Sequence, residues 1–417
     1  MDGSAPRGRD GAWLTGLCVS RVLTALVFTS YAAVLPVLQR EWEMSATAAG
    51  AVASAFQIGY AASLLGLNLL ADRVGARPVF LWSSLAGGPA AMAFALLSNG
   101  PVSAACLYGL TALVIGGNYT PGLILIADRF PPARRGRATG FFLAATSMGF
   151  AASLFLTGAV LVRWGWRAAL IAASLGPVIG GLVAAWTVRD TPTRVHPRTA
   201  GQGFVVEVLR NPAALLLMAG YVCHSWELLG MWAWTPAFLS AALMRQGIDL
   251  RRATGGGAQL SALFHLTGFI ASLSAGYLSD RYGRTTIIIA MLGVSTLCSF
   301  AFGWLVSAPF WLLLAVGLVY GFSAVGDSPV LSVGFTEVVK PHVLGSALAL
   351  RSLLGFGAGA AVQAAFGAVL DATNPAPPYA VWGWAYGLLG MGGAAGLAAT
   401  IWLRRRPESR RLANGLR

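Results

Sequence analysis

One polar loop of the chain reads Gly276-Tyr277-Leu278-Ser279-Asp280-Arg281-Tyr282-Gly283-Arg284 and separates two long apolar stretches. A related loop at residues 68–77 lies 208 residues earlier, again directly after a long apolar stretch. Gly136 and Gly345, which are 209 residues apart, extend the similarity into the apolar stretches that follow. A repeat of this length indicates that the chain consists of two related halves.

Twelve apolar stretches, each of about 20 residues or more, alternate with polar connectors along the 417 residues. About 20 apolar residues in a helix cross a bilayer core, and a helix satisfies the backbone amides that lipid cannot. The sequence therefore predicts an all-α polytopic membrane protein with twelve transmembrane helices. The predicted helices are 13–38, 47–70, 79–97, 102–127, 138–162, 168–187, 213–240, 256–278, 286–305, 309–333, 343–370 and 380–403.

Arginine supplies nearly all of the net charge of +14, because Lys340 is the sole lysine. The charged fraction is 11%, about half of what a soluble domain carries, and the arginines concentrate in the connectors. If the N-terminus is cytoplasmic, the cytoplasmic segments contain 21 Lys and Arg residues and the opposite connectors contain 6. This asymmetry predicts a multi-pass protein of the bacterial inner membrane with both termini in the cytoplasm, and it explains the basic charge better than nucleic-acid binding does.

The longest cytoplasmic connector divides six predicted helices from six. It defines two bundles at 1–187 and 213–403, a linker at 188–212 and a basic tail at 404–417. Together with the repeated loop, this organisation resembles the major facilitator superfamily, whose G-x-x-x-D-R-x-G-R pattern is complete at residues 276–284. The resemblance covers the whole chain and implies two pseudo-symmetric six-helix bundles around a central cavity that opens alternately to each side.

The first copy of the pattern is degraded, since Asn68 replaces the leading glycine and Ala76 replaces the closing basic residue. A carboxylate at a helix end can accept charge-assisted hydrogen bonds from arginine and face the positive end of a neighbouring helix. We therefore expect the two loops to act as a latch that holds one access state, with an ordinary positively charged turn as the alternative. The candidate gating residues are Asp72, Arg73, Asp280, Arg281 and Arg284.

Ionisable or strongly polar side chains inside apolar helices are costly and therefore indicate function. The repeat pairs Gln57 with His265 and Asn118 with Asp327, at offsets of 208 and 209 residues. Equivalent positions of the two halves should approach the pseudo-two-fold axis together. We therefore predict that these four residues and the neighbouring Tyr119 line the cavity. For Asp327, a structural ion pair or a helix-end position is the alternative.

Predicted helix seven is unusual because His224, Glu227, Met231 and Trp234 share one of its faces. A buried carboxyl group beside an imidazole could take up and release a proton, and the tryptophan ring could contact a solute. We predict proton coupling at Glu227 and Asp327, and solute contacts at His224 and Trp234. In the alternative, Glu227 bonds His224 or a neighbouring helix and only fixes the packing.

Arg21 and Arg351 lie within predicted helices one and eleven. Two guanidinium groups that face one cavity would favour an anion, because arginine binds carboxylate or phosphate through a fixed fork of donors. Arg21 could instead extend to the membrane interface, and Arg351 could neutralise Asp327. The leading hypothesis is secondary transport of a small anionic solute, a carboxylate or an oxyanion, by a proton-coupled monomer.

Other classes of function have less support. The sequence contains no nucleotide-binding loop, HExxH motif or nucleophile motif, so neither an enzyme nor an ATP-driven pump is expected, and neither a cofactor nor a metal is expected. The runner-up is proton-coupled export of hydrophobic or cationic drugs, with the Trp and Met side chains of helix seven as the pocket. A membrane sensor without transport is a third class, although the central connector is short for a signalling domain.

Overall fold

The computed structural model describes residues 7–195, 204–375 and 377–416. The described residues form helices and short connectors and contain no β-strand. Parts of the two predicted bundles, the linker and the tail, at 1–6, 196–203, 376 and 417, lie outside the described residues. The helices are α1 (Arg7–Ala25), α2 (Ser30–Glu41), α3 (Ala46–Val74), α4 (Ala76–Leu97), α5 (Pro101–Ile115), α6 (Thr120–Arg129), α7 (Pro132–Val188), α8 (Pro212–Met244), α9 (Leu250–Tyr282), α10 (Arg284–Phe302), α11 (Phe310–Val338), α12 (Pro341–Thr373) and α13 (Gly383–Arg405).

The thirteen described helices make twelve crossings. α1 and α2 together form the first crossing, and α5 and α6 form the fourth through a 3-10 turn at Gly116–Asn118. α7 contains the fifth and sixth crossings, which separate at Gly165, where φ is +86° and glycine is favoured. Eleven segments are apolar and long enough to span a bilayer, and one of them, Arg134–Val188, contains these two crossings. The predictions of an all-α fold and of twelve transmembrane helices are confirmed.

Both ends of the described chain lie on one face of the molecule, because the number of crossings is even. On this face Asp10, near the start of α1, forms an ion pair of 2.9 Å with Arg129 at the end of α6. The backbone N–H of Ala413, beyond α13, donates to Glu337 at the end of α11. We call this side the termini face and the opposite side the far face.

The internal repeat of the sequence corresponds to a structural repeat. α1–α7 pack into the first bundle and α8–α13 into the second. Gly75 and Gly283, at equivalent positions of the two polar loops, both have a φ of +93° and both connect one helix directly to the next. This left-handed conformation favours glycine, so the glycine of the repeated pattern has a backbone role in both halves.

The two bundles pack closely towards the far face, where α3 contacts α12 and α7 contacts α9. Near the start of α3, Gly50 faces the backbone of Gln363, and near the end of α12, Gly367 faces the backbone of Ala46. A side chain at either glycine would collide with the facing helix. Small residues at these positions therefore allow the bundles to close against each other at the far face.

Candidate functional site

Two buried arginines, one from each bundle, approach the same tyrosine between the bundles. Arg21 in α1 is 3% exposed and Arg351 in α12 is 7% exposed. Tyr119, which lies between the 3-10 turn and α6, interacts electrostatically with both guanidinium groups, and its ring centre lies 5.3 Å from Cζ of Arg21. The structure thus brings together three residues that the sequence analysis assigned to solute binding.

Arg21 is surrounded by rings and held by a hydroxyl group. Its Nε donates a hydrogen bond of 2.8 Å to Oγ1 of Thr146 in α7. The guanidinium lies over Phe28 and Phe142, at 5.8 and 5.6 Å from the ring centres, and it interacts electrostatically with Tyr60. Its buried Nη1 has no hydrogen-bond partner. The side chain therefore lies inside the protein and does not extend to the membrane interface.

Arg351 has a similar environment in the second bundle. Its Nη1 donates a hydrogen bond of 3.3 Å to Oγ of Ser332 in α11. Its Cζ lies 4.1 Å from the ring centre of Tyr221 in α8 and 5.4 Å from that of Phe335. Its buried Nε has no hydrogen-bond partner. Within the described ranges, neither Arg351 nor Arg21 forms an ion pair with a carboxylate.

These two arginines and three tyrosines form what we call the arginine site. A buried cation without a counter-charge is costly, and a buried donor without an acceptor adds to that cost. A solute anion would supply both the missing charge and the missing acceptors, through charge-assisted hydrogen bonds that are stronger than neutral ones. The arrangement is therefore suited to binding one small anion between the bundles. The site consists of Arg21, Tyr60, Tyr119, Tyr221 and Arg351.

A layer of rings adjoins the arginine site on its far-face side. Phe28 follows Arg21 by two helical turns, and its ring centre lies 5.2 Å from that of Phe150 in α7. Phe150 in turn contacts Trp232 of α8 and His265 of α9, at 5.5 and 5.9 Å. The layer therefore joins the two bundles and separates the arginine site from the far face. We call Phe28, Phe150, Trp232 and His265 the ring layer.

His224 and Asp327 form a buried pair inside the second bundle. Nδ1 of His224 lies 2.8 Å from Oδ1 of Asp327, whose side chain is fully buried. Neither carboxylate oxygen has a hydrogen bond of good geometry. The His224 ring centre lies 5.9 Å from that of Tyr221, which stacks under Arg351. The pair of His224 and Asp327 is thus linked to the arginine site through the ring of Tyr221. The partner of Asp327 is His224 and not Arg351.

Glu227 points away from the arginine site, towards α10. Its Oε1 accepts a hydrogen bond of 2.7 Å from Ser299, and its Oε2 accepts one of 3.1 Å from Ser295. The Ser299 hydroxyl also bonds that of Tyr320, at 2.5 Å. These contacts agree with the alternative in which Glu227 bonds a neighbouring helix. Its role in proton coupling stays a prediction.

Three other predicted solute contacts have different surroundings. Gln57 is half-buried on α3, one helical turn before Tyr60 of the arginine site. Asn118 is buried inside the first bundle, where its Oδ1 accepts a hydrogen bond of 2.6 Å from Ser84 of α4. Trp234 donates a hydrogen bond of 3.1 Å to the backbone of Gln363 in α12, and its ring is fully buried. Of the three, Asn118 lies nearest in sequence to a residue of the arginine site, directly before Tyr119, and its amide oxygen is bonded inside the first bundle.

The candidate gating residues of the second loop form a network at the termini face. Arg284 donates hydrogen bonds to Asp280, one turn earlier in the chain, and to Glu337 at the end of α11, with 2.9 Å between its Nη2 and Glu337 Oε1. Arg281 lies over the ring of Tyr282, at 5.4 Å. The described contacts of Arg284 lie within the second bundle, so they stabilise that bundle in the state captured by this structure.

In the first loop, Asp72 and Arg73 lie in the last turn of α3, and Arg73 is exposed. Arg77, which follows the loop, donates to the backbone carbonyls of Val188 and Arg189 at 2.8 and 2.7 Å. These bonds fix the start of α4 against the end of α7. The basic residue that follows the degraded pattern therefore has a structural partner within the first bundle.

Several residues of the site were not anticipated from the sequence. Tyr60 and Tyr221 complete the arginine site, and the hydroxyls of Thr146 and Ser332 hold the two arginines. Tyr221 lies three residues before His224, so helical spacing could have placed it on the same face. Tyr60, Thr146 and Ser332 carry no such signal, because neutral residues of these types occur throughout the apolar helices.

Comparisons with known proteins identify the family and the fold. A sequence model of the Major Facilitator Superfamily matches residues 17–304 and 253–416. The gallate transporter of Pseudomonas putida is 24% identical over 305 residues, which cover 65% of this chain and 66% of that protein. The 4-hydroxybenzoate transporter of the same species is 23% identical over 286 residues, with coverages of 61% and 63%. The chain thus spans just under two thirds of the length of these two relatives.

A solved structure shares the fold. A bacterial homolog of the human lysosomal transporter Spinster superposes with a TM-score of 0.69 at 15% identity, and the match covers 96% of each chain. The similarity extends over nearly all twelve crossings, so the arrangement of the two bundles is that of a known transporter fold.

Proposed function

The chain belongs to the Major Facilitator Superfamily, a family of transporters and not of enzymes, and from that premise we propose that it carries a small carboxylate across the inner membrane together with a proton. The observation that carries this proposal is the pair of unpaired guanidinium groups at the arginine site. Arg21 and Arg351 come from different bundles, so an anion bound to both would contact both moving parts of the protein. Binding of such a solute can therefore influence how the two bundles move relative to each other.

The ring layer supports a solute with a flat, apolar body. A carboxylate held by Arg21 and Arg351 would direct the rest of the solute towards Phe28, Phe150 and Trp232. Rings prefer offset-stacked or edge-to-face contacts with other rings, which add to the free energy of burying them. The names of the gallate and 4-hydroxybenzoate transporters point to the same chemistry. We therefore propose an aromatic monocarboxylate as the solute.

The pair of His224 and Asp327 is our candidate for proton coupling. With a proton on His224, the two charges balance inside the second bundle. After its loss, the buried carboxylate of Asp327 would attract Arg351 across the ring of Tyr221 and weaken its hold on the solute. Proton uptake and solute binding would then favour each other, as symport requires. Glu227, which interacts electrostatically with Asp327, is the second candidate.

The orientation in the membrane follows from the charge asymmetry. The sequence assigns 21 Lys and Arg residues to the side on which both termini lie, against 6 on the opposite side. We propose that the termini face is cytoplasmic. A monomer suffices for this activity, since one chain contains both bundles and both arginines.

Uptake into proteoliposomes tests the proposal. Radiolabelled 4-hydroxybenzoate should accumulate when the outside is acidic, and phosphate should compete poorly. Arg21→Ala and Arg351→Ala should each reduce uptake at least about tenfold, because each removes a charge-assisted hydrogen bond. Arg163→Ala, at an exposed arginine of α7, is the matched control. Wild-type uptake in both site variants would exclude anion binding at this place. Protection of cells against cationic dyes that is lost in Glu227→Gln would instead support drug export.

A further inference from the structure

A carboxylate of the second bundle caps a helix of the first bundle at the far face. Oδ1 of Asp371, in the last turn of α12, accepts a hydrogen bond of 2.8 Å from the backbone N–H of Ala46. Oδ2 accepts bonds from the backbone N–H and the hydroxyl of Thr47, at 2.8 and 2.6 Å. Ala46 and Thr47 begin α3, where the free N–H groups and the helix dipole favour a negative charge. The contact therefore combines three hydrogen bonds with a favourable charge–dipole interaction.

Two more side chains support this cap. The Tyr379 hydroxyl lies 3.4 Å from Oδ1 of Asp371 and donates to it, and it accepts a bond of 3.3 Å from Nε2 of Gln39. Burial and the neighbouring carboxylate raise the pKa of Tyr379 to about 12, so the phenol keeps the proton that it donates. Gln39 belongs to the first bundle and Tyr379 to the second, so this second path also crosses between them.

An arginine makes the reverse contact elsewhere on the far face. Nε of Arg251, in the first turn of α9, donates a hydrogen bond of 2.8 Å to the carbonyl oxygen of Leu161. Leu161 lies in the last turn of the fifth crossing, just before the break at Gly165. The carbonyl groups at a helix C-terminus lack partners and favour a positive charge. Here the second bundle supplies a cation to the end of a helix of the first.

The repeat relates the two contacts. Leu161 and Leu370 are 209 residues apart, which is the offset of the internal repeat, and Asp371 directly follows Leu370. One contact therefore joins the end of α12 to the start of α3, and the other joins the end of the fifth crossing to the start of α9. They lie on opposite sides of the pseudo-two-fold axis and use opposite charges.

We propose that Asp371 and Arg251 are two charged latches that hold the bundles together at the far face, and that both release before the arginine site opens to that face. Neither residue touches the arginine site, so the latches set the balance between access states and leave solute recognition to other residues. Each latch contributes charge-assisted hydrogen bonds that the open state exchanges for bonds to water. The loss of one latch should therefore shift the population towards the far-face-open state by about 10- to 150-fold.

Distances between spin labels on the two bundles test this proposal. Labels at Val102→Cys of α5 and Gln246→Cys, next to α8, report the opening, in full-length protein whose four native cysteines are replaced by serine. Both Asp371→Ala and Arg251→Ala should increase the long-distance population relative to the labelled protein that retains both latches. Because the two latches join different pairs of helices and share no partner, their effects should multiply in the double variant.

Three further variants make the outcome decisive. Asp371→Asn keeps the shape of the cap and loses its charge, so it should give a smaller shift of the same sign even if Asp371→Ala folds poorly. Gly367→Val separates the bundles sterically and shows that the labels detect opening. Glu41→Gln alters a far-face carboxylate that bonds Trp166 within the first bundle and should change nothing. Distance distributions of Asp371→Asn and Arg251→Ala that coincide with that of Glu41→Gln would overturn the proposal.

Discussion

Replacing Arg351 by alanine should weaken solute binding and leave the ligand-free protein at least as stable as before. The two effects have one cause. The guanidinium is buried, lacks a carboxylate partner and has an Nε without an acceptor. Its hydrogen bond to Ser332, at 3.3 Å, and its stacking on Tyr221 recover only part of the lost hydration. A side chain held at such a cost without a ligand indicates a binding role.

The size of the binding effect follows from the missing acceptor. One hydrogen bond to a charged group contributes about 1.5 to 3 kcal/mol, so Arg351→Ala should raise the Kd about 10- to 150-fold. At a solute concentration of about 100 times the wild-type Kd, the bound solute stabilises the wild type by about 2.7 kcal/mol. The same concentration should stabilise the variant by only about 0.3 to 1.4 kcal/mol.

Thermal unfolding of the purified protein in detergent measures both quantities in one experiment. Scans with and without 4-hydroxybenzoate give the ligand-dependent shift of the Tm, and scans without it compare the ligand-free proteins. Arg351→Lys should keep part of the ligand shift, because it keeps the charge and loses the fork of donors. Arg163→Ala should behave as the wild type does. An unchanged ligand shift in both Arg351→Ala and Arg21→Ala would refute the reasoning.

Three other variants separate coupling, gating and packing. Asp327→Asn should abolish the stimulation of uptake by an acidic outside while solute exchange at equal pH continues; uptake that still follows the pH gradient would exclude Asp327 as the proton site. Asp280→Asn removes one acceptor of Arg284 and should lower the turnover rate without changing the Kd, which uptake kinetics and thermal shifts distinguish. Glu227→Ala should lower the free energy of unfolding by about 1 to 3 kcal/mol, since Ser295 and Ser299 lose their acceptor. If the variant is as stable as the wild type but its uptake no longer depends on the pH gradient, Glu227 carries the coupled proton.

The placement of the arginines also offers a physical link between the proposed solute and a movement of the two bundles. Arg21 belongs to the first bundle and Arg351 to the second, and Tyr119 interacts with both. Both guanidinium groups are buried without a carboxylate partner among the described residues, and a buried charge without a counter-charge is costly. A bound carboxylate would supply that counter-charge to both bundles. Solute binding and the approach of the bundles would then share one electrostatic cause.

Hydropathy, the repeated loop and the charge asymmetry were enough to predict the number of helices and the family. Each of these signals depends only on the order of residues along the chain. A crossing needs a run of apolar residues of a certain length, and a repeat needs only a constant offset. The predicted boundaries differ from the observed ones chiefly at interrupted crossings, such as the break of the first crossing near Phe28, because tertiary contacts decide where a helix bends.

Only the tertiary structure decided which of the buried polar residues meet. Arg21, Arg351 and Tyr119 converge, whereas Glu227, from the same set of candidates, bonds Ser299 inside its own bundle. Burial without a partner is costly for each of these polar side chains, so the sequence could identify unusual residues without assigning their partners. A partner depends on the rotation of each helix about its axis and on the packing of one bundle against the other. Those quantities are set by contacts between residues hundreds of positions apart, such as the 325 positions between Ala46 and Asp371.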